Sequence, residues 1–99
     1  MISTRPDGTV AAAGELDAHR AAEFDAALAA MPADADGMLD VSGVTFMDSS
    51  VLRVLIRHHD RLSARVRQLR LVDPSEPVRR LLEVSRLAEM FGTSTFRPS

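Results

Sequence analysis

The stretch Met38 to Ser50, MLDVSGVTFMDSS, constrains this chain more than any other. Met38, Leu39 and Val41 form a short apolar run that predicts a buried strand. Ser42 and Gly43 are expected to break it, with Val44, Phe46 and Met47 folding the connection back onto a core. The polar triplet Asp48, Ser49, Ser50 stands directly before Val51, Leu52, Val54, Leu55 and Ile56, which is the signature of a helix start. One of the three supplies the cap, accepting bonds from backbone N–H groups that have no partner inside the helix. The others lie at the positive end of the helix, where an anion is favoured, so a serine here is structurally able to carry a phosphate. The alternative is a cap with no further role.

A chain of 99 residues supports one core and is too short for two. With 45% hydrophobic and 26% charged residues it has the composition of a globular domain. Cysteine is absent, which excludes a disulfide framework, a thiolate nucleophile and a thiolate metal site. The start, Met1 to Gly8, has no basic segment followed by an apolar run, and no stretch reaches the roughly 18 apolar residues that span a bilayer. The expectation is a cytoplasmic protein without membrane insertion. Residues 1–49 hold two arginines against nine acidic residues, a net of −7, while residues 50–99 hold ten against five, a net of +5. The overall charge of −2 argues against a direct nucleic-acid partner. The split itself fits either a polar protein-binding surface or two halves that attract one another on folding.

Along the chain, Met1 to Thr4 and Val10 to Ala13 flank the turn-like Arg5, Pro6, Asp7, Gly8 and predict a hairpin. Asp17 is placed to cap a helix from Ala18 to about Ala30, with Ala21, Phe24, Leu28 and Met31 on one face and Arg20, Glu23 and Asp25 in water. The helix after the triplet, Ser49 to about Ala64, is expected to bury Leu52, Leu55, Ile56 and Leu62. Gln68 to Val72 alternates as a strand. A turn then feeds a third helix, with Pro77 in its first turn and Val78, Leu81, Leu82 and Val84 inward. Leu87 to Phe91 could add a helical turn, and Thr93 to Phe96 an edge strand. The order is two strands, helix, strand, helix, strand, helix. That is an α/β fold whose small mixed sheet has an N-terminal hairpin and then parallel strands, in a single domain over residues 1–99.

Catalytic constellations are poor. Ser50 and His58 share one helix about 12 Å apart along its axis, out of hydrogen-bond reach. His58 and His59 are adjacent, so they diverge and cannot form a same-face metal pair, and His59 fits a partly buried position in line with Leu55 and Leu62. No glycine-rich phosphate loop or nucleophile elbow occurs. The expectations are no enzyme activity, no metal and no cofactor. Arg57, Arg61 and Arg65 recur every four residues on the second helix, as a solvated face or as a partner surface.

Gly14, Glu15, Leu16, Asp17 after a strand, then Leu39 to Ser50, and later Leu69, Arg70, Leu71, Val72 before a turn and helix, resemble the STAS domains of bacterial anti-sigma factor antagonists. The resemblance covers nearly the whole chain and implies helices packed mainly on one face of the sheet. It also implies a switch protein. The unmodified form would bind an anti-sigma factor of the histidine-kinase-like ATPase type and so free a sigma factor for transcription. That partner would phosphorylate the second hydroxyl residue of the D-S-[ST] motif, Ser50, with its neighbour Ser49 as the alternative acceptor, and a PP2C-type phosphatase would reverse the step. Glu15, Asp17, Asp48, Ser49, Ser50 and Val51 would contact the partner. Glycine commonly follows the motif in phosphorylated members, and Val51 stands there in this chain. A non-phosphorylated STAS subunit docked on another assembly, such as a lipid-transport ATPase, is therefore the second candidate. A small-ligand or nucleotide sensor using the same helix start is the third.

Overall fold

The computed structural model describes residues 1–32 and 34–87, together with the backbone of residues 92–93. The elements are β1 (Ile2–Thr4), β2 (Val10–Leu16), a single 3-10 turn (Ala18–Arg20), α1 (Ala21–Ala29), β3 (Gly37–Met47), α2 (Ser49–Ser63), β4 (Leu69–Val72), α3 (Glu76–Val84) and β5 (Gly92–Thr93). They form a mixed α/β fold with one sheet in the order β1-β2-β3-β4-β5. β1 and β2 are the antiparallel hairpin, turned through Gly8 at φ +92°, and the remaining pairings are parallel. The possible helical turn from Leu87 to Phe91 and the strand beyond Thr93 lie outside the described residues.

Alternation sets the two faces of the sheet. Val10, Ala12 and Leu16 of β2, Leu39, Val41 and Val44 of β3, and Leu69 and Leu71 of β4 are buried, while the residues between them are exposed or half-exposed. The buried set is continuous with Phe24 and Leu28 of α1, Leu52, Leu55 and Leu62 of α2, and Val78 and Leu82 of α3. One core therefore lies on one side of the sheet, with the helices over it.

β3 departs from the expected short strand. It runs unbroken for 11 residues through Ser42 and Gly43. Its first half is paired on both edges, Gly37–Asp40 lying against Leu69–Val72, while its second half pairs with β2 alone. The free edge is taken up by the start of α3: the Ser75 N–H donates to the Val41 carbonyl at 3.3 Å and its hydroxyl to the Val44 carbonyl at 2.6 Å. These bonds satisfy carbonyls that the sequence gives no means of assigning. Gly43 is not a breaker but a point of close approach, since a Cβ there would stand 2.9 Å from the Ala13 Cβ beside a shift in the β2–β3 register.

Four further expectations need correction. The first helix opens as the 3-10 turn and becomes α-helical only at Ala21. Phe46 is 49% exposed although it shares parity with the buried Val44, because the β2–β3 register shifts between the Gly14–Val44 and Glu15–Phe46 pairs and the faces of the strand reverse there. Val84 is 78% exposed at the outer end of α3, where the inward stripe is Val78 and Leu82 with Leu81 half-buried. Asp25 is half-buried rather than wet, for a reason found on α2. His58, 5% exposed, bonds Asp25 through Nε2 at 2.6 Å, while Arg61 Nε donates to its Nδ1 at 3.1 Å. With Nδ1 accepting, the proton lies on Nε2, which donates to the carboxylate. Arg61 also donates to the Leu28 carbonyl at 3.0 Å, and Arg57 pairs with Asp25 at 3.2 Å. Two of the three periodic arginines thus tie α2 to α1. His59 is half-buried, as expected.

Candidate functional site

The site is built where β2 and β3, parallel neighbours, both end. Leu16 pairs with Met47, so the corner after β2 and the start of α2 emerge side by side. The Asp48 N–H donates to the Leu16 carbonyl at 3.1 Å and locks the two together. Asp48 is extended, φ −98° and ψ 176°, as an N-cap requires. Its Oδ1 accepts from the Ser50 N–H at 2.9 Å, the Val51 N–H at 3.3 Å and the Ser50 hydroxyl at 2.5 Å. The Ser50 hydroxyl is the largest influence holding the Asp48 carboxyl below its ordinary value, with the N–H groups of Val51, Ser50 and Ala18 acting in the same direction against partial desolvation. The cap of the triplet is therefore Asp48.

Ala18 extends the arrangement to the neighbouring corner. Asp17 caps the 3-10 turn by accepting from the His19 N–H at 3.1 Å, and the Arg20 N–H bonds the Asp17 carbonyl at 3.0 Å. Two helical segments, capped by Asp17 and Asp48, thus start side by side.

The structure brings most of the sequence candidates to one edge. Ser49 and Glu15 are exposed, and Asp17, Asp48 and Ser50 are half-buried. Val51 is different: it is fully buried in the core and presents no surface to a partner. Its branched side chain therefore does not flank the Ser50 hydroxyl on the outside. Phe46, beside Glu15 in register and two residues before Asp48, was missed as a surface residue. Alternation counted from the buried Val44 puts Phe46 on the wrong face, and the register shift that turns it outward is not marked in the sequence. Among the described residues, no group of three or more His, Cys, Asp or Glu is placed to hold a metal, and no helix is long and apolar enough to cross a membrane.

The arrangement offers one hydroxyl oriented by a carboxylate on an acidic, accessible edge. It can present that hydroxyl to another protein.

Comparison with known proteins gives the same fold. TM1081 of Thermotoga maritima, described as an anti-sigma factor antagonist, superposes with a TM-score of 0.75 at 22% identity, over 94% of this chain and 83% of that one. The anti-sigma factor antagonist SpoIIAA in its unphosphorylated form gives 0.68 at 24% identity, over 97% and 88%. A STAS domain protein of Planctomyces limnophilus gives 0.69 at 19% identity, over 94% and 86%. No curated protein matches the sequence. A family model described as "Mlab, STAS domain" matches residues 3–92, and the chain therefore belongs to the STAS domain family.

Proposed function

We propose that this protein is an anti-sigma factor antagonist acting as a binding module without catalysis of its own. Unphosphorylated, it binds a serine-kinase anti-sigma factor of the histidine-kinase-like ATPase fold and thereby releases a sigma factor. Phosphorylation of Ser50 ends the binding, and a PP2C-type phosphatase restores it. The reading places the protein in the bacterial cytoplasm. The observation that carries it is the Ser50 hydroxyl, half-exposed and held at 2.5 Å by Asp48 on an edge shared with Glu15 and Asp17.

The physical effect of a phosphate follows from that bond. Esterification removes the donated proton, so the ester oxygen and Asp48 Oδ1 become two acceptors where a hydrogen bond had been. About −1.5 to −2 charges arrive beside a carboxylate already ionised. The N–H groups of Ser50 and Val51 are occupied by Asp48, so the helix start receives the phosphate less freely than an uncapped one. At an interface, burying such a charge without compensation costs several kcal/mol, and a loss of about 4 kcal/mol weakens binding roughly a thousandfold.

The test is binding of the purified protein to kinase-type anti-sigma factors from its own genome, with wild type, Ser50→Ala and Ser50→Asp, together with phosphate transfer from ATP. The expected outcome is binding by wild type and Ser50→Ala, loss in Ser50→Asp, and phosphate incorporation by wild type that is abolished in both Ser50 variants, which lack the hydroxyl. Incorporation that persists in Ser50→Ala but not in Ser49→Ala would move the acceptor to Ser49. A second function is kept because the matching family model bears the name Mlab and not that of the antagonists. In it the domain is a docking subunit of another assembly, such as a lipid-transport ATPase, and is never phosphorylated. Absence of both kinase binding and phosphate incorporation would favour it.

A further inference from the structure

Beside the Ser50 edge, the second half of β3 and the outer face of α3 enclose an open groove of about 390 Å³. Pro77, Leu81 and Val84 recur at spacings of four and three along α3 and make one wall, and Phe46 makes the other. Phe46 is 49% and Val84 78% exposed, and Phe46 is the one exposed aromatic among the described residues. The rim carries the Glu76–Arg80 ion pair at 3.2 Å. A groove of this kind, apolar along a helix and charged at its rim, has the form that receives an amphipathic helix.

We infer that this groove is the apolar half of the surface that engages the anti-sigma factor, and that its occupant is an amphipathic helix of that partner lying along α3. The inference rests on the function proposed above and specifies what the partner must offer: apolar side chains on one face, with charged groups beside them to meet Glu76 and Arg80. Two observations select this occupant. The groove is continuous with the Ser50 edge, because Phe46 pairs in register with Glu15 and leads through Met47 into Asp48. The polar candidates, Glu15 and Ser49 exposed and Asp17, Asp48 and Ser50 half-buried, are also too few and too charged to hold a partner alone. A stable contact takes about 20 to 30 residues a side, and its binding energy concentrates in a few buried anchors, aromatics prominent among them. Phe46 is such an anchor, and Ser50 lies at its margin, where a phosphate is accessible to enzymes and repels.

The experiment titrates the anti-sigma factor that binds in the preceding test against wild type, Phe46→Ala, Val84→Asp, Ser50→Asp and the control Val66→Asp. Val66 is 92% exposed beyond the far end of α2, whose 15 residues place it about 22 Å from the site. Val84→Asp adds a charge at an exposed position, so its folding is checked by an unchanged circular dichroism spectrum. The expected result is weakening of at least about tenfold for Phe46→Ala and Val84→Asp, with Val66→Asp like wild type. Full affinity in both groove variants, with loss in Ser50→Asp, overturns the groove and leaves the switch standing. A concentration-dependent dimer that Val84→Asp abolishes while partner affinity is retained assigns the groove to a second copy and overturns the inference. Failure of wild type to bind any such factor overturns both.

Discussion

At the scale of single residues, Asp48 carries more than a cap ordinarily does. Its carboxyl is held below the ordinary value of 3.8, so the ionised form is favoured by folding. Such a group contributes stability above its unfolded value, and that contribution is lost as the pH falls through the folded value. Asp48→Asn should therefore melt below wild type at pH 7, and the gap should close as the pH falls below 3.8, followed by thermal unfolding across that range. Val66 makes a different point. It follows the end of α2 at φ +58°, a left-handed conformation that costs a β-branched residue, and it is 92% exposed. Val66→Gly should stabilise the protein by about 1 kcal/mol, measured by urea unfolding. Neither effect is legible in sequence alone: the Ala18 N–H that helps hold the Asp48 carboxyl down comes from a separate segment, and a valine gives no sign that its φ is positive.

At the scale of elements, the seam between α1 and α2 is polar where periodicity had placed water and core. Phe24 and Leu28 bury as their spacing requires, but Asp25 and His58 meet because the two helices pack side by side. His58→Ala should cost about 2 kcal/mol, since it removes a buried, doubly bonded ring and leaves Asp25 and Arg61 short of a partner. Arg57→Ala, at a pair whose arginine side chain is 61% exposed, should change stability by no more than about 0.5 kcal/mol. Chemical denaturation of the two variants separates them. The spacing of four that marks Arg57 and Arg61 was visible in the sequence. That α1 supplies their acceptors was not.

At the scale of the whole molecule, the charge split is met only in part by internal pairs. Asp25–Arg57 and Asp36–Arg70 join the acidic first half to the basic second half, whereas Arg5–Asp40 and Glu76–Arg80 stay within one half each. The joining pairs are partly exposed, so raising the ionic strength should lower the melting temperature only slightly. The core lies on one side of the sheet and Ser50 at its margin. Ser50→Asp should therefore keep the circular dichroism spectrum of wild type while losing the partner. A collapse of the spectrum would show that the site supports the fold and is not merely carried by it.

The order of elements, the hairpin and the helix start at Asp48 were determined by the sequence, because turn residues, caps and apolar periodicity act over a few residues. The alternation in β4 was equally local. The tertiary structure alone decided the length of β3, the burial of Val51, the exposure of Phe46 and Val84, and the pairing of Asp25 with His58. Each depends on which segment lies alongside: the start of α3 supplies donors to an edge that Ser42 and Gly43 would otherwise leave open, and the register shifts against β2 decide which residues of β3 face the core. The candidate site shares this division. Its serine and capping carboxylate are adjacent in sequence, but the corner that holds them is made by two strands ending together, and chain order does not specify that juxtaposition.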